Sequence, residues 1–124
     1  MLKRILIVDD SCTARMMIRR CLEIAGYAEA EFREASHGRE ALELLRTEPV
    51  DLVLTDLNMP EMNGKTFIRR LKSSPKLFSI PVIVISSITN EREEEELRDQ
   101  GVAGVIRKPM SPMAFMDVIK NVES

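Results

Sequence analysis

The chain has 124 residues, 44% of them hydrophobic and 31% charged, which fits one compact core and excludes a fibrous or disordered chain. Eighteen Lys and Arg against twenty Asp and Glu leave a formal charge of −2, so there is no general attraction to nucleic acid or an anionic membrane. Apolar runs such as Ile5 to Val8 and Ile80 to Ile85 stop far short of the roughly twenty residues that cross a bilayer, and no secretory pattern precedes them. The expected location is therefore the cytoplasm, with no membrane insertion.

Short β-branched runs alternate with longer stretches of helical periodicity, the pattern of a parallel sheet covered on both faces. The first strand is expected over Arg4 to Asp9. Ser11 then caps a helix whose inward face is Ala14, Met17, Ile18, Cys21 and Ala25, ended by Gly26. Cys12 and Cys21 on that helix stand about 13 Å apart along its axis, too far for a disulfide. A second strand is placed at Ala30 to Ala35. His37-Gly38 turns into a helix with Ala41, Leu42 and Leu45 inward, and Leu52 to Thr55 makes a buried central strand.

The turn pairs Met59-Pro60 and Asn63-Gly64 precede a helix carrying Phe67, Ile68 and Leu71. The fourth strand is Val82 to Ile85, and a helix from Asn90 to Gln100 follows with Leu97 nearly its only apolar anchor. The fifth strand is Ala103 to Arg107. Ser111-Pro112 opens a last helix with Phe115, Ile119 and Val122 inward.

In an open parallel sheet, ligands bind beyond the carboxyl ends of the strands. Those ends carry Asp9-Asp10, Asp56, Ser86-Ser87 and Lys108-Pro109. One Asp alone at a strand end is an ordinary turn or cap residue, one buried Ser satisfies a backbone carbonyl, and one Lys-Pro is a loop. Their convergence on one edge points to a site. Three carboxylates there repel one another unless a divalent cation lies between them, and Mg²⁺ suits hard oxygen ligands. A lone histidine and two separated cysteines leave zinc and nucleophile–histidine chemistry unsupported.

Asp9-Asp10, Asp56-Leu57-Asn58-Met59-Pro60 with Asn63-Gly64, Ser86 and Lys108-Pro109 together resemble the receiver domain of response regulators. The likeness runs over the whole chain and is closest to the single-domain, chemotaxis-regulator-like receivers. It implies an α/β, doubly wound, flavodoxin-like sheet of five parallel strands in the order 2-1-3-4-5. It further implies a phosphoryl-accepting switch of a two-component system, not an enzyme in the usual sense. Residues 1–124 are expected to form a stand-alone receiver without an output domain.

By this resemblance Asp56 takes the phosphoryl group from a sensor histidine kinase or phosphotransfer protein. Asp9, Asp10, Asp56 and the backbone carbonyl of Asn58 hold Mg²⁺, Lys108 pairs with the phosphoryl group or with Asp56, and Ser86 donates a hydrogen bond to it. The Lys108-Pro109 bond is expected to be cis, and Ser87 and Pro109 belong to the switching edge.

Two departures from the family pattern stand out. Val105 occupies the place where many receivers carry a rotating Tyr or Phe, so the readout is expected to pass through the loop from Ser86 to Asn90 and the fourth helix. That helix, rich in Glu, is expected to be loosely held and supported by pairs such as Glu94 with Arg98. Met113, Met116 and Val118 are read as off the inward stripe of the last helix. They suggest a surface for a separate downstream protein, or a homodimer, on the face made by helix four, strand five and helix five. Met16 is a candidate contact for the kinase, and Ile88 a shield that slows hydrolysis.

Rival readings are weaker. A magnesium-dependent aspartyl phosphatase wants a second Asp two residues after the first, where Asn58 stands. A degenerate scaffold receiver is opposed by the intact acids, Ser86 and Lys108. A nucleotide-binding module lacks a glycine-rich phosphate loop.

Overall fold

The computed structural model describes residues 2–59, 61–87 and 90–123. Strands β1 (Arg4–Val8), β2 (Glu31–Ala35), β3 (Leu52–Asp56), β4 (Val82–Ser86) and β5 (Gly104–Arg107) pair in parallel in the order β2-β1-β3-β4-β5. Helices α1 (Cys12–Leu22), α2 (Gly38–Thr47), α3 (Gly64–Lys72), α4 (Glu91–Asp99) and α5 (Pro112–Glu123) connect and follow them. The alternation of patterns implied a parallel sheet, and this is the doubly wound order that the resemblance implied.

Side chains of period two split the core into two layers. Ile5, Ile7, Leu52, Leu54, Ile83 and Ile85 meet α1 and α5 through Ile18, Leu22, Phe115 and Ile119. Leu6, Val8, Val53, Val82 and Val84 meet α2, α3 and α4 through Ala41, Leu45, Phe67, Ile68, Leu71 and Leu97. Strands β3 and β4 are buried at every residue because both faces are covered. Both run one residue further than the apolar pattern implied, so Asp56 and Ser86 are themselves strand residues.

Each helix starts on a side-chain cap. Ser11, His37, Asn63, Asn90 and Ser111 accept hydrogen bonds from the backbone N–H groups of Ala14, Glu40, Thr66, Glu93 and Ala114. These caps follow the carboxyl ends of the strands, so every helix N-terminus lies toward one edge of the sheet. At the other end of α1 the chain widens into a π-type turn over Glu23–Tyr27, where Gly26 has φ 110°. Gly26 ends the helix as expected, by adopting a backbone that L side chains disfavour.

Two packing expectations change. Met17 is 53% exposed rather than inward. Ile18 and Leu22, at four-residue spacing, face the sheet, which turns Met17 outward. Val118 is half-buried in the α1–α5 layer rather than lying off the inward stripe. It occupies the space left by Gly104, where an added Cβ would approach its Cγ1 to 2.5 Å.

Helix α4 buries Leu97 among its residues, as its composition implied. Its tether is stronger than the expected Glu94–Arg98 pair at 3.1 Å, because Arg107 of β5 also pairs with Glu94 at 2.8 Å. Hydrogen bonds from Arg107 and then Arg98 hold the Glu94 carboxyl below the usual range. The support from this group is therefore present above ordinary carboxylate pH values and is lost as pH falls through the lowered value. Glu94→Gln should speed amide hydrogen exchange across residues 91–100 by about two- to fivefold at neutral pH, the size of a weak surface ion pair. Unchanged exchange would show that Leu97 alone holds the helix.

Candidate functional site

Register places the acids side by side. Val8 of β1 pairs with Thr55 of β3, so Asp9 and Asp56 each stand one residue beyond that pair on neighbouring strands. Asp56 in turn pairs with Ile85, one residue before Ser86. Ser86 pairs with Arg107, and its carbonyl accepts the Lys108 N–H at 2.9 Å.

Asp9 is 2% exposed, Asp56 7% and Ser86 3%, whereas Asp10 is open to solvent. Single carboxylate oxygens of Asp9, Asp10 and Asp56 lie within 4.8 Å of one another. Asp9 Oδ1 accepts the Ser11 N–H at 2.9 Å, while Asp9 Oδ2 is buried with no hydrogen-bond donor among the described residues. Asp56 Oδ1 accepts the Leu57 N–H at 2.8 Å and lies 3.9 Å from Lys108 Nζ. That separation is an ion pair without a direct hydrogen bond.

Burial raises the Asp9 carboxyl above the ordinary carboxylate value; the Ser11 N–H and Lys108 pull it back, and Asp56 and Asp10 push it further up. A buried acid held beside two others, with one oxygen lacking a donor, fits a hard divalent cation. The donor set of three carboxylates could hold such an ion.

Other expected residues fall as follows. Asn58 and Ser87 are exposed at the rim beside Ser86. The Lys108-Pro109 bond is cis, and Pro109 is exposed. Val105 is half-buried against the α2–α3–α4 layer. Met16, Met113 and Met116 are 66%, 70% and 49% exposed. Pro60 and Ile88 lie outside the described residues.

Sequence reasoning missed two supports. Arg15, one helical turn after Ser11, donates to the Asp9 carbonyl at 2.6 Å and pairs with Glu34 of β2 at 2.8 Å. Its spacing from the acid pair was the available signal. Gly64 was read as a turn residue, yet it begins α3 pressed against the backbone of Asp56 and Leu57, and its N–H donates to the Leu57 carbonyl at 2.8 Å.

An acid-lined edge beyond the carboxyl ends of a doubly wound sheet of this order defines a flavodoxin-like α/β protein with a candidate cation site. Residues 5–120 match the family described as response regulator receiver domain, and the chain belongs to that family. It is thus a receiver of two-component signalling, a switch module rather than a conventional enzyme.

A chemotaxis protein CheY homolog from Campylobacter jejuni is 33% identical over 120 residues, covering 96% of this chain and 91% of that one. The polar-differentiation response regulator DivK of Brucella ovis is 34% identical over 121 residues, covering 98% and 96%. Among solved structures, the chemotaxis response regulator CheY4 of Vibrio cholerae superposes with a TM-score of 0.85 at 29% identity, over 98% of this chain and 99% of that one. Among the described residues no helix is long and apolar enough to cross a membrane.

Proposed function

We propose that the protein accepts a phosphoryl group on Asp56 from the phosphohistidine of a sensor histidine kinase or phosphotransfer protein in the cytoplasm, and so alters the surface it offers to a separate downstream protein. The observation that carries this reading is the grouping of Asp9, Asp10 and Asp56 within 4.8 Å, with Lys108 Nζ 3.9 Å from Asp56 Oδ1.

In the transfer a carboxylate oxygen of Asp56 forms a bond to phosphorus as the phosphorus–nitrogen bond of the phosphohistidine breaks. The imidazole nitrogen leaves with the electron pair, and a mixed anhydride remains. Leu57 N–H fixes Asp56 Oδ1, which orients the carboxylate. Lys108 offsets the charge of the incoming phosphoryl oxygens, and Ser86 donates its hydroxyl hydrogen to one of them. Asp9, Asp10, Asp56 and the Asn58 carbonyl would hold Mg²⁺, which would supply charge neutralisation on the phosphoryl oxygens.

Readout runs through α4 rather than a rotating aromatic, because Val105 is too small to swing and sits in the layer that α4 covers. Lys108 and Arg107 are adjacent, so a Lys108 drawn to the phosphoryl group acts on the Arg107–Glu94 tether. Met113 and Met116 remain the exposed apolar contacts for the downstream protein. Met16 remains one for the kinase, and the charge of −2 gives no basis for direct nucleic-acid binding.

Incubation with a small phosphodonor such as acetyl phosphate should add one phosphoryl mass to the parent chain in Mg²⁺ and none in EDTA. Asp56→Asn should abolish the gain. An equal gain in Asp56→Asn would overturn the assignment.

A further inference from the structure

The α2–α3–α4 layer carries opposite charges in two places, and the functional site uses neither. Between the C-terminal ends of α2 and α3 lies a groove of about 450 Å³ with Leu42 and Leu77 among its lining and Arg46, Arg69, Arg70 and Lys76 around it. None of these four cations forms an ion pair with any described residue. On α4, Glu91, Glu95 and Asp99 follow one another at four-residue spacing, on the side opposite the buried Leu97, and all three are exposed.

Those acids make no ion pair among the described residues either, in contrast to Glu94 and Glu96, which pair with Arg98, Arg107 and Arg92. Like charges at this spacing repel and weaken the helix that bears them. The stripe is about 12 Å long at the helical rise.

We propose that the occupant of this groove is α4 of a second copy of the chain. Both patches lie on the same helical layer, so a two-fold axis across that layer lets each copy place its acidic stripe on the other's groove. The two contacts form together and the assembly closes as a dimer. The contact is electrostatic, so it weakens with ionic strength. It shares α4 with the α4–β5–α5 face assigned to the downstream protein but uses neither Met113 nor Met116 of that face.

Sedimentation velocity over a concentration series tests the proposal. The parent chain should dimerise at about 20 mM NaCl, with a dissociation constant at least about tenfold higher at about 300 mM. Arg46→Glu with Arg69→Glu, Arg70→Glu and Lys76→Glu should raise the constant more than about tenfold, as should Glu91→Lys with Glu95→Lys and Asp99→Lys. The chain carrying both sets should dimerise again, since the contact is restored with its signs exchanged. Met116→Asp should leave the dimer intact. Circular dichroism confirms that each variant is folded. A monomeric parent at low salt, a dimer indifferent to either reversal, a dimer lost only in Met116→Asp, or no recovery in the combined variant would each overturn it.

Discussion

Gly64→Ala should destabilise the protein by about 2 to 4 kcal/mol and slow phosphoryl uptake in the molecules that remain folded. A Cβ at this position would collide with the Asp56 carbonyl oxygen and reach within 2.6 Å of Leu57 Cα. Both obstacles are backbone, so neither can rotate away as a side chain would. The first turn of α3 or the end of β3 must move, and β3 ends on Asp56, the proposed acceptor. The Leu57 N–H that holds Asp56 Oδ1 moves with it. A displacement of about 1 Å at a reacting group costs on the order of a hundredfold in rate.

Urea unfolding measures the first effect and intact-mass kinetics the second. Gly26→Ala is the control: its φ of 110° gives a local penalty of about 1 to 2 kcal/mol, but no atom lies within 4 Å of the added Cβ. Uptake should then be unchanged. A Gly64→Ala protein as stable and as fast as the parent would show that the α3–β3 contact is slack.

Asp9→Asn should have opposite effects on stability and on cation binding. In metal-free buffer the Asp9 carboxylate is buried beside two other acids, with one oxygen lacking a donor. Its folded-state value is raised, so the protonated form favours folding at low pH. That contribution is lost as pH rises from below the ordinary carboxylate value through the raised one. At neutral pH the charge is a net cost, and Asn removes it while an amide oxygen still accepts the Ser11 N–H.

Melting of Asp9→Asn in EDTA at neutral pH should therefore rise by a few degrees, the shift that about 1 kcal/mol produces in a domain of this size. The gap from the parent should close as pH falls and the parent acid is protonated. Added Mg²⁺ should raise the melting temperature of the parent and leave Asp9→Asn nearly unmoved, because ligand that binds the folded state stabilises it in proportion to occupancy. A parent chain indifferent to Mg²⁺, or an Asp9→Asn protein less stable in EDTA, would contradict this picture of the edge.

The acids, Ser86 and Lys108 were legible in the sequence because each ends or follows a strand whose apolar pattern is unmistakable, so topology alone delivers them to one edge. The layers were legible for the same reason, since Ile5, Leu6, Ile7 and Val8 alternate faces in the structure. Other features depend on contacts between elements that no periodicity carries. Gly64 touches β3 backbone eight residues earlier, and Arg107 reaches Glu94 across a helix–strand gap. Met17 and Val118 were misplaced because both flank an inward stripe; the roll of α1 and the space above Gly104 decided which one is covered.

The most direct test of the central claim is chemical trapping of the phosphorylated residue. After reaction with a phosphodonor and Mg²⁺, borohydride reduces an aspartyl phosphate to homoserine, and tandem mass spectrometry locates it. The account predicts homoserine at position 56 and nowhere else. Homoserine at Asp9 or Asp10, or a stable phosphoester on Ser86 with Asp56 intact, would contradict it.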